Sequence, residues 1–175
     1  MNSKYLIVLM TLLFIGCKDE IEIDFCKMFE LDQSFVNTDT TNMDKYKSDR
    51  LKRKNLIKTN FKELIHYSSQ NGFPEMGELS ATGLDSCRNW AVFITLFHIG
   101  QIEPQLFFED ETVELFKSEI EKGNLHSASI FTSLREGFRG YEFCSSQEEH
   151  IYNALKSWKM EIEKLPKIKF KECPN

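Results

Sequence analysis

Apolar residues recur along most of the chain at the spacing of an α-helix. They stand three or four positions apart over long stretches, and almost no stretch alternates as a half-buried strand would. Side chains at this spacing share one face of a helix, and that face is buried by packing against other helices. The pattern therefore predicts an all-α fold, arranged as a single compact bundle of about six helices.

Turn-forming residues separate the predicted helices. The approximate bounds of the helices are 24–36, 43–70, 86–99, 110–122, 127–138 and 151–165. The third is apolar nearly all round, which is typical of a helix at the centre of a bundle. Gly100 and Pro104 are expected to end it, and Pro166 to end the sixth. The segment 73–85, rich in glycine and proline, is expected to be irregular.

The last two helices have the most regular apolar stripes. The predicted core face of the fifth helix consists of Ala128, Phe131, Leu134 and Phe138. The sixth carries a continuous stripe of Ile151, Ala154, Leu155, Trp158, Ile162 and Leu165. Both helices are therefore expected to pack against the bundle.

The N-terminus has the pattern of a secretory signal. Lys4 precedes an apolar run over 5–15, and Gly16 and Cys17 follow it. The run is shorter than the about 20 residues that a transmembrane helix requires. A small residue directly before a cysteine resembles the lipobox of bacterial lipoproteins, whose cysteine receives lipid. We expect residues 1–16 to be a cleaved signal peptide and Cys17 to be lipidated; the alternative is an ordinary signal peptide with an incidental cysteine.

A charged segment follows Cys17. Residues 17–24, with Lys18 before an acidic cluster, are expected to tether a helical domain over 25–166, with a C-terminal tail over 167–175. The cluster resembles the tag that sends some lipoproteins to the outer face of the outer membrane, and a merely solvated tether is the alternative. The expected location is the cell envelope, where lipid on Cys17 holds the protein at the outer membrane, with surface display as a further alternative.

The charge distribution argues against a nucleic-acid partner. The formal net charge is −5, which disfavours binding to phosphate-rich polymers. Basic side chains concentrate between Lys45 and Lys62, without the alternation of basic and aromatic residues that stacks bases. We interpret this cluster as a solvated helix face, with docking of an acidic partner as the alternative.

Four cysteines remain besides Cys17. They are Cys26, Cys87, Cys144 and Cys173. An even number of thiols in an exported chain can form disulfides, and four cysteines allow three pairings, among which the sequence does not choose. None forms a C-x-x-C pair, and no histidine stands at a metal-ligand spacing from them. Disulfides and free buried thiols are the alternatives, and we expect neither a metal nor another cofactor.

Three polar residues fall on predicted apolar faces: Asp32, His98 and Arg135. Asp32 follows Met28 by four residues, His98 follows Ile94 by four, and Arg135 follows Phe131 by four. Burial of a lone charge is costly, so these side chains are expected to meet and satisfy one another. A structural polar network, a ligand-holding cluster, and a catalytic site with His98 as general base are the three interpretations. In the catalytic form Arg135 would hold an anionic group.

Several short motifs resemble an uncharacterised bacterial domain family. They are, in order, Glu30-Leu31-Asp32-Gln33, Gly72-Phe73-Pro74, the run from Phe93 to His98, Gln105, Gly123 and Arg135. The family typically reads Asp-Gln, Gly-Trp-Pro, Gln-His, a downstream Gln, Asp-Arg and a closing Tyr-Gly-Thr-Gln. The resemblance implies that Gln33, Phe73, Pro74 and Gln105 are ligand-binding candidates, and it names no reaction.

The chain departs from that family pattern at three positions. Phe97 replaces the Gln before His98, Leu134 replaces the Asp before Arg135, and 141–144 replaces the closing motif. A site that needs those groups would be lost or altered here. The remaining histidines, His66, His126 and His150, are expected to be surface or capping residues.

Two classes of function are consistent with the sequence. The first is a membrane-anchored binding or accessory module, with an immunity-type protein as one example, that recognises a protein or a small ligand. The second is an enzyme that uses Asp32, His98 and Arg135. An open pocket above these side chains would favour the enzyme, and a closed, satisfied network would favour the binding module.

Overall fold

The computed structural model describes residues 22–34, 41–74 and 84–174, and α-helix dominates these residues. Six helices occur among them: α1 (Phe25–Gln33), α2 (Met43–Asn71), α3 (Leu84–Ile102), α4 (Asp110–Lys122), α5 (Ser127–Gly140) and α6 (Glu148–Ser157). Short 3₁₀ segments cover Pro104–Phe108, Ser145–Gln147 and Ile162–Lys164. The predicted helical bundle is confirmed.

Local signals set several helix ends. The side chains of Asp24 and Asn42 cap α1 and α2, accepting hydrogen bonds of 2.9 Å and 3.0 Å from backbone N–H groups three residues later. Gly72 and Gly123 end α2 and α4 with φ angles of 81° and 83°. Glycine adopts this left-handed region without steric cost, so both helices stop where the sequence predicts.

The third helix is central, as its apolar character predicts. α3 packs against α1, α2 and α5, and it buries Ala91, Val92, Leu96 and Ile99. Because α3 touches three other helices, a side chain at its C-terminal end is placed close to residues from several elements. His98 occupies such a position.

A pair of glycines lets α3 and α5 cross closely. A Cβ atom at Gly137 would overlap the carbonyl oxygen of Gly100, and one at Gly100 would overlap the backbone of Ser133. Neither glycine ends its helix, because α3 continues to Ile102 and α5 to Gly140. The prediction that Gly100 breaks the central helix was wrong; this glycine permits a backbone contact instead.

The contact at Gly137 also sets the rotation of α5. The buried face consists of Ile130, Ser133, Leu134, Gly137 and Phe138, whereas Ala128 is exposed and Phe131 is half-buried. The predicted face with Ala128 and Phe131 was therefore rotated from the real one. Small residues at the crossing decide which side of α5 meets α3.

The sixth helix is shorter than its apolar stripe predicts. It ends at Ser157, and Lys159 then takes a left-handed conformation with a φ of 56°. Trp158 and Met160, which lie on either side of Lys159, are still buried, and Ile162 lies in a 3₁₀ segment. The extension of the helix to Leu165 was wrong because a turn can keep apolar residues buried at irregular spacing.

Two short strands join the C-terminal segment to the bundle. β1 (Glu142–Cys144) pairs in parallel with β2 (Lys169–Lys171), and Phe143 stands opposite Phe170. Ile168 is buried, so the expected C-terminal tail contributes a residue to the core of the domain. Strands of three residues are too short to show an alternating pattern.

The structure pairs the four cysteines of the domain. Cys26 bonds to Cys87 and Cys144 to Cys173, with Cα–Cα distances of 5.1 Å and 5.4 Å. The first bond links α1 to α3, and the second links the end of β1 to the segment after β2. Of the two alternatives drawn from the sequence, the structure has disulfides.

Several predicted features lie outside the described residues: the signal peptide over 1–16, Cys17, most of the tether, Val36 at the end of the first predicted helix, and most of the irregular segment. Within the described ranges, no helix combines the length and the apolar character that crossing a bilayer requires.

Candidate functional site

Asp32 is a buried carboxylate on the core face of α1. It shares that face with Phe25 and Met28, and only 1% of its surface is exposed. A buried carboxylate requires hydrogen-bond partners. Asp32 has two, since Oδ1 lies 2.9 Å from Nδ1 of His98 and Oδ2 accepts from the amide of Gln33 at 3.1 Å.

The structure thus brings Asp32 and His98 together, as predicted. His98 projects from the C-terminal part of α3, and 14% of its side chain is exposed. Gln33, a predicted ligand-binding residue, is half-buried and contacts Asp32. In this structure the side-chain amide of Gln33 donates a hydrogen bond to the buried carboxylate of Asp32.

Arg53 fixes the tautomer of His98. Nη2 of Arg53 lies 3.3 Å from Nε2 of His98. A guanidinium group only donates hydrogen bonds, so Nε2 must accept and therefore carries no proton. Nδ1 then carries the proton and donates it to Asp32. The result is a chain of hydrogen bonds from Arg53 through neutral His98 to Asp32.

Arg135 does not join this chain, and its predicted place there was wrong. Its side chain is 49% exposed and pairs with Glu136 at 3.4 Å. The rotation of α5 explains the difference, because Arg135 lies outside the face formed by Ile130, Ser133 and Leu134. Arg53 from α2 contacts His98 instead.

A cleft of about 670 Å³ opens beside His98 and Arg53. One wall comes from α2 and the other from the ends of α3 and α5. The cationic side chains in the cleft are Lys47, Arg50, Arg53 and Lys54. Apolar and neutral side chains complete it, namely Leu51, Ile57, Gln101, Ile102 and Tyr141.

Most of these cations lack a carboxylate partner. In the part of the chain that the structure describes, Lys47, Arg50 and Arg53 form no ion pair within 4.0 Å. Lys54 pairs with Glu103 at 2.5 Å, and Lys58 approaches the same carboxylate at 3.6 Å. The cleft is therefore a positively charged site in a protein of net charge −5.

Glu103 and Gln105 form a hydrogen-bonded polar pair next to the cleft. Burial of the Glu103 carboxyl raises its pKa, but hydrogen bonds from Lys54 and Gln105 and the charges of Lys54 and Lys58 outweigh burial, so the pKa is lowered. Burial raises the pKa of Tyr141, the negative charge of Glu103 raises it further, and Lys54 acts against both. Gln105, a predicted ligand-binding residue, is half-buried and bound to Glu103.

Phe73 and Pro74 lie in the core and not in the cleft. Both are buried, and the backbone N–H of Phe73 donates to Glu119 Oε2 at 2.8 Å. Glu119 also accepts from Lys122 at 2.6 Å and from Asn124 at 2.8 Å. The assignment of Phe73 and Pro74 as ligand contacts was therefore wrong, since Glu119 anchors this segment to α4.

The interpretation of the basic cluster as a solvated helix face holds only in part. Lys45, Lys52 and Lys62 are exposed, but Arg53 is half-buried. The sequence contains a pattern that could have identified Arg53 as partly buried. Arg53 precedes Ile57 by four residues and Phe61 by eight, so it lies on the apolar face of α2. The positions of Glu103 and Glu119 have no comparable signal, since each depends on contacts between distant elements.

The other histidines stand apart from the cleft. His66 and His126 are exposed, and Nε2 of His150 donates to the carbonyl oxygen of Phe108 at 2.7 Å. Across residues 22–34, 41–74 and 84–174, no group of three or more His, Cys, Asp or Glu side chains is arranged to hold a metal ion.

No protein-family model matches the chain, and comparisons with curated proteins and with solved structures also give no match.

Proposed function

We propose that this protein is an exported, lipid-anchored binding module that takes a small anionic ligand in the cleft. The observation that carries the proposal is the set of cations without carboxylate partners, Lys47, Arg50 and Arg53, that line one cleft of an acidic protein. A cleft of about 670 Å³ falls within the usual range for small-molecule sites.

The spacing of the cations on α2 supports this proposal. Arg50 stands three residues after Lys47 and four before Lys54, so their side chains are neighbours on one helix face. Like charges at this spacing repel one another by a few tenths of a kcal/mol per pair. An anion between them removes the repulsion and adds charge-assisted hydrogen bonds.

Arg53 supplies a second argument. Its Nε atom is buried and has no hydrogen-bond acceptor among the described residues. An unsatisfied buried donor costs about 1–3 kcal/mol. An oxyanion that accepted from both Nε and Nη2 would remove this cost, since those two groups form the fork with which arginine binds carboxylates and phosphates.

The location in the cell envelope rests on the sequence. An apolar run too short to span a bilayer ends at Gly16-Cys17, and an acidic cluster follows. Lipid on Cys17 would hold the binding domain at a membrane, as expected of an accessory or immunity-type lipoprotein. Mass spectrometry of the mature N-terminus tests this part: an acylated Cys17 is expected, and an unmodified cysteine or an uncleaved signal contradicts it.

Isothermal titration of the full-length protein with inorganic phosphate tests the binding site. Replacing Lys47 and Arg50 together by glutamine is expected to weaken binding at least tenfold, because charge-assisted hydrogen bonds are lost. The matched control replaces Lys45 and Lys62 by glutamine, which removes the same charge from exposed positions outside the cleft. Equal weakening in both variants would contradict a site in the cleft.

The open cleft beside His98 favours a second function, the enzyme that the sequence offers as the alternative, which would use acid–base catalysis. His98 borders the cleft, and Asp32 holds its ring in the tautomer with an unprotonated Nε2. A reaction that used Nε2 as the base would have to replace its hydrogen bond from Arg53. Hydrolysis of anionic esters, compared between wild type and His98→Asn, tests this function. Identical rates in the two proteins would exclude His98 as the base.

A further inference from the structure

We infer that one face of α2, together with the cleft beside it, binds the phosphate groups of anionic lipids at a membrane surface. This inference rests on the proposed anion site and lipid anchor, and it names the source of the anion. Two apolar side chains that are exposed among the cations, Met43 and Leu51, are the observation behind it.

The first half of α2 makes little contact with the core. The structure describes all of α2, and none of its residues before Ile57 is buried. A short helix has marginal stability in water on its own, and most helices in proteins are stabilised by packing of one face. The stretch over 43–56 therefore has surface available for a partner.

Apolar and cationic side chains share one face of this stretch. Met43 and Leu51 have exposed fractions of 58% and 61%, and Lys47 stands four residues from each, so the three form a row along the helix. Arg50 and Lys54 lie four residues apart in the neighbouring row. We call these five residues the basic face of α2.

The acidic residues of the same stretch leave the basic face positively charged. Asp49 stands two residues from both Lys47 and Leu51, so it projects from another side of the helix, where it pairs with Lys52 at 3.8 Å. Asp44 lies in the first turn, where its charge interacts favourably with the N-terminal end of the helix.

This combination matches the chemistry of an anionic bilayer. Such a surface presents phosphate groups to cations and an apolar layer just below them, which exposed apolar side chains can enter. A soluble anion would bind Lys47 and Arg50 but would leave Met43 and Leu51 in water. The lipid surface is the partner that covers both kinds of side chain.

The proposed anchor favours a bilayer over an acidic protein. Seven residues lead from Cys17 to Asp24, and a chain of that length reaches at most about 25 Å. This reach exceeds the diameter of a helix, which is about 10–12 Å, so an anchored domain can turn the basic face of α2 toward the membrane. An acidic protein would have to find the same face by diffusion.

Tryptophan fluorescence in vesicles tests contact between the basic face and lipid. The full-length variant Leu51→Trp is reconstituted into phosphatidylcholine vesicles with and without phosphatidylglycerol, and brominated phospholipids quench any indole that reaches the interface. The N-terminal segment attaches the protein in every case, so the readout is contact at position 51. The control is Lys45→Trp, an exposed change two residues from Lys47 and therefore on another side of α2.

Quenching of the added tryptophan is expected to be at least about threefold greater in Leu51→Trp than in Lys45→Trp, and to require phosphatidylglycerol. Adding Lys47→Gln and Arg50→Gln to Leu51→Trp should reduce its quenching to the level of the control. Adding Lys45→Gln and Lys52→Gln removes the same charge from other exposed positions and should leave the quenching unchanged.

The outcomes separate this inference from the proposed function. Equal quenching in Leu51→Trp and Lys45→Trp, or quenching that persists without the charges of Lys47 and Arg50, would overturn the lipid assignment. If wild type still binds glycerol 3-phosphate in isothermal titration, the anion site stands and its partner is a soluble anion or an acidic protein. Absence of both glycerol 3-phosphate binding and lipid contact would overturn both.

Discussion

Nδ1 of His98 donates a hydrogen bond of 2.9 Å to Oδ1 of Asp32, and this bond joins the central helix α3 to α1. The two residues are 66 positions apart in the sequence, so the bond depends on the tertiary fold. It also sets which nitrogen of His98 faces Arg53 and the cleft. The pair therefore ties α1 to α3 beside the cleft.

Removing His98 should destabilise the protein more than removing Asp32. His98→Ala leaves a buried carboxylate with only Gln33 as partner, at an expected cost of about 3–5 kcal/mol. Asp32→Ala leaves a neutral ring without an acceptor, at about 1–3 kcal/mol. Urea denaturation of both variants and the double variant measures these costs, and exposed His66→Ala is the control. Near-neutral single changes, or additive ones, would contradict a coupled buried pair.

Gly137→Ala should be strongly destabilising. The added methyl group would overlap the backbone of Gly100, so the crossing of α3 and α5 must widen, at a cost of about 1–3 kcal/mol or more. Gly140→Ala is the matched control on the same helix, because a Cβ atom there meets nothing within 4 Å. Thermal unfolding compares the two. Equal midpoints would show that the helices do not cross as closely as described.

Stability should fall in acid partly because of Glu119. Burial raises the pKa of this carboxyl, but hydrogen bonds from Lys122, Asn124 and the Phe73 backbone outweigh burial and lower the pKa below its ordinary value. A lowered folded-state pKa contributes stability above the ordinary value, and this contribution is lost as the pH falls through the folded-state pKa. The pKa of Glu103 is also lowered, so its contribution to stability is lost in acid in the same way.

Denaturation at a series of pH values below 5 measures this effect. Glu119→Gln should lower stability at neutral pH and flatten its fall in acid, whereas Glu121→Gln, an exposed change on the same helix, should leave the slope unaltered. Identical acid slopes for wild type and Glu119→Gln would contradict the role given to Glu119.

The Cys26–Cys87 disulfide should support the cleft around His98 more than the Cys144–Cys173 disulfide does. The cysteines of the first bond are 61 residues apart, and cross-linking a loop of that length contributes about 4 kcal/mol by chain entropy. That bond joins the helices that carry Asp32 and His98. Cys26→Ser/Cys87→Ser should therefore weaken phosphate binding as well as stability.

The double variant Cys144→Ser/Cys173→Ser is the comparison, because its bond joins β1 to the segment after β2 and links neither α1 nor α3. Denaturation and phosphate titration of both variants provide the test. Equal loss of phosphate affinity in the two double variants would show that the link between α1 and α3 has no special role.

Helical spacing predicted most of the fold but only part of the site. The spacing identified Asp32 and His98 because each falls on an apolar stripe, and stripes are local properties of a sequence. It placed Arg135 wrongly because the rotation of α5 depends on Gly100 and Gly137, whose contact is not local. The partner of His98 became visible only when α2 and α3 were placed side by side.

The C-terminal region shows the same limit. The apolar stripe of the sixth helix continues through Trp158 to Leu165, yet the helix ends at Ser157 because Lys159 takes a left-handed conformation. The strands around Phe143 and Phe170 exist because they pair with each other and a disulfide adjoins them. Neither feature has a periodic pattern that sequence reasoning could detect.

The most direct test of the anion site is the side-chain Nε–H resonance of Arg53 in a ¹H–¹⁵N NMR titration with inorganic phosphate, assigned through its loss in Arg53→Lys. This donor has no acceptor among the described residues, so a bound anion should shift its resonance saturably. The same addition to the Lys47→Gln/Arg50→Gln variant should shift it only at much higher phosphate concentrations. The opposite result is an Arg53 resonance in wild type that stays unchanged at phosphate concentrations that shift the side-chain resonances of exposed lysines and arginines. That result would contradict an anion site in this cleft.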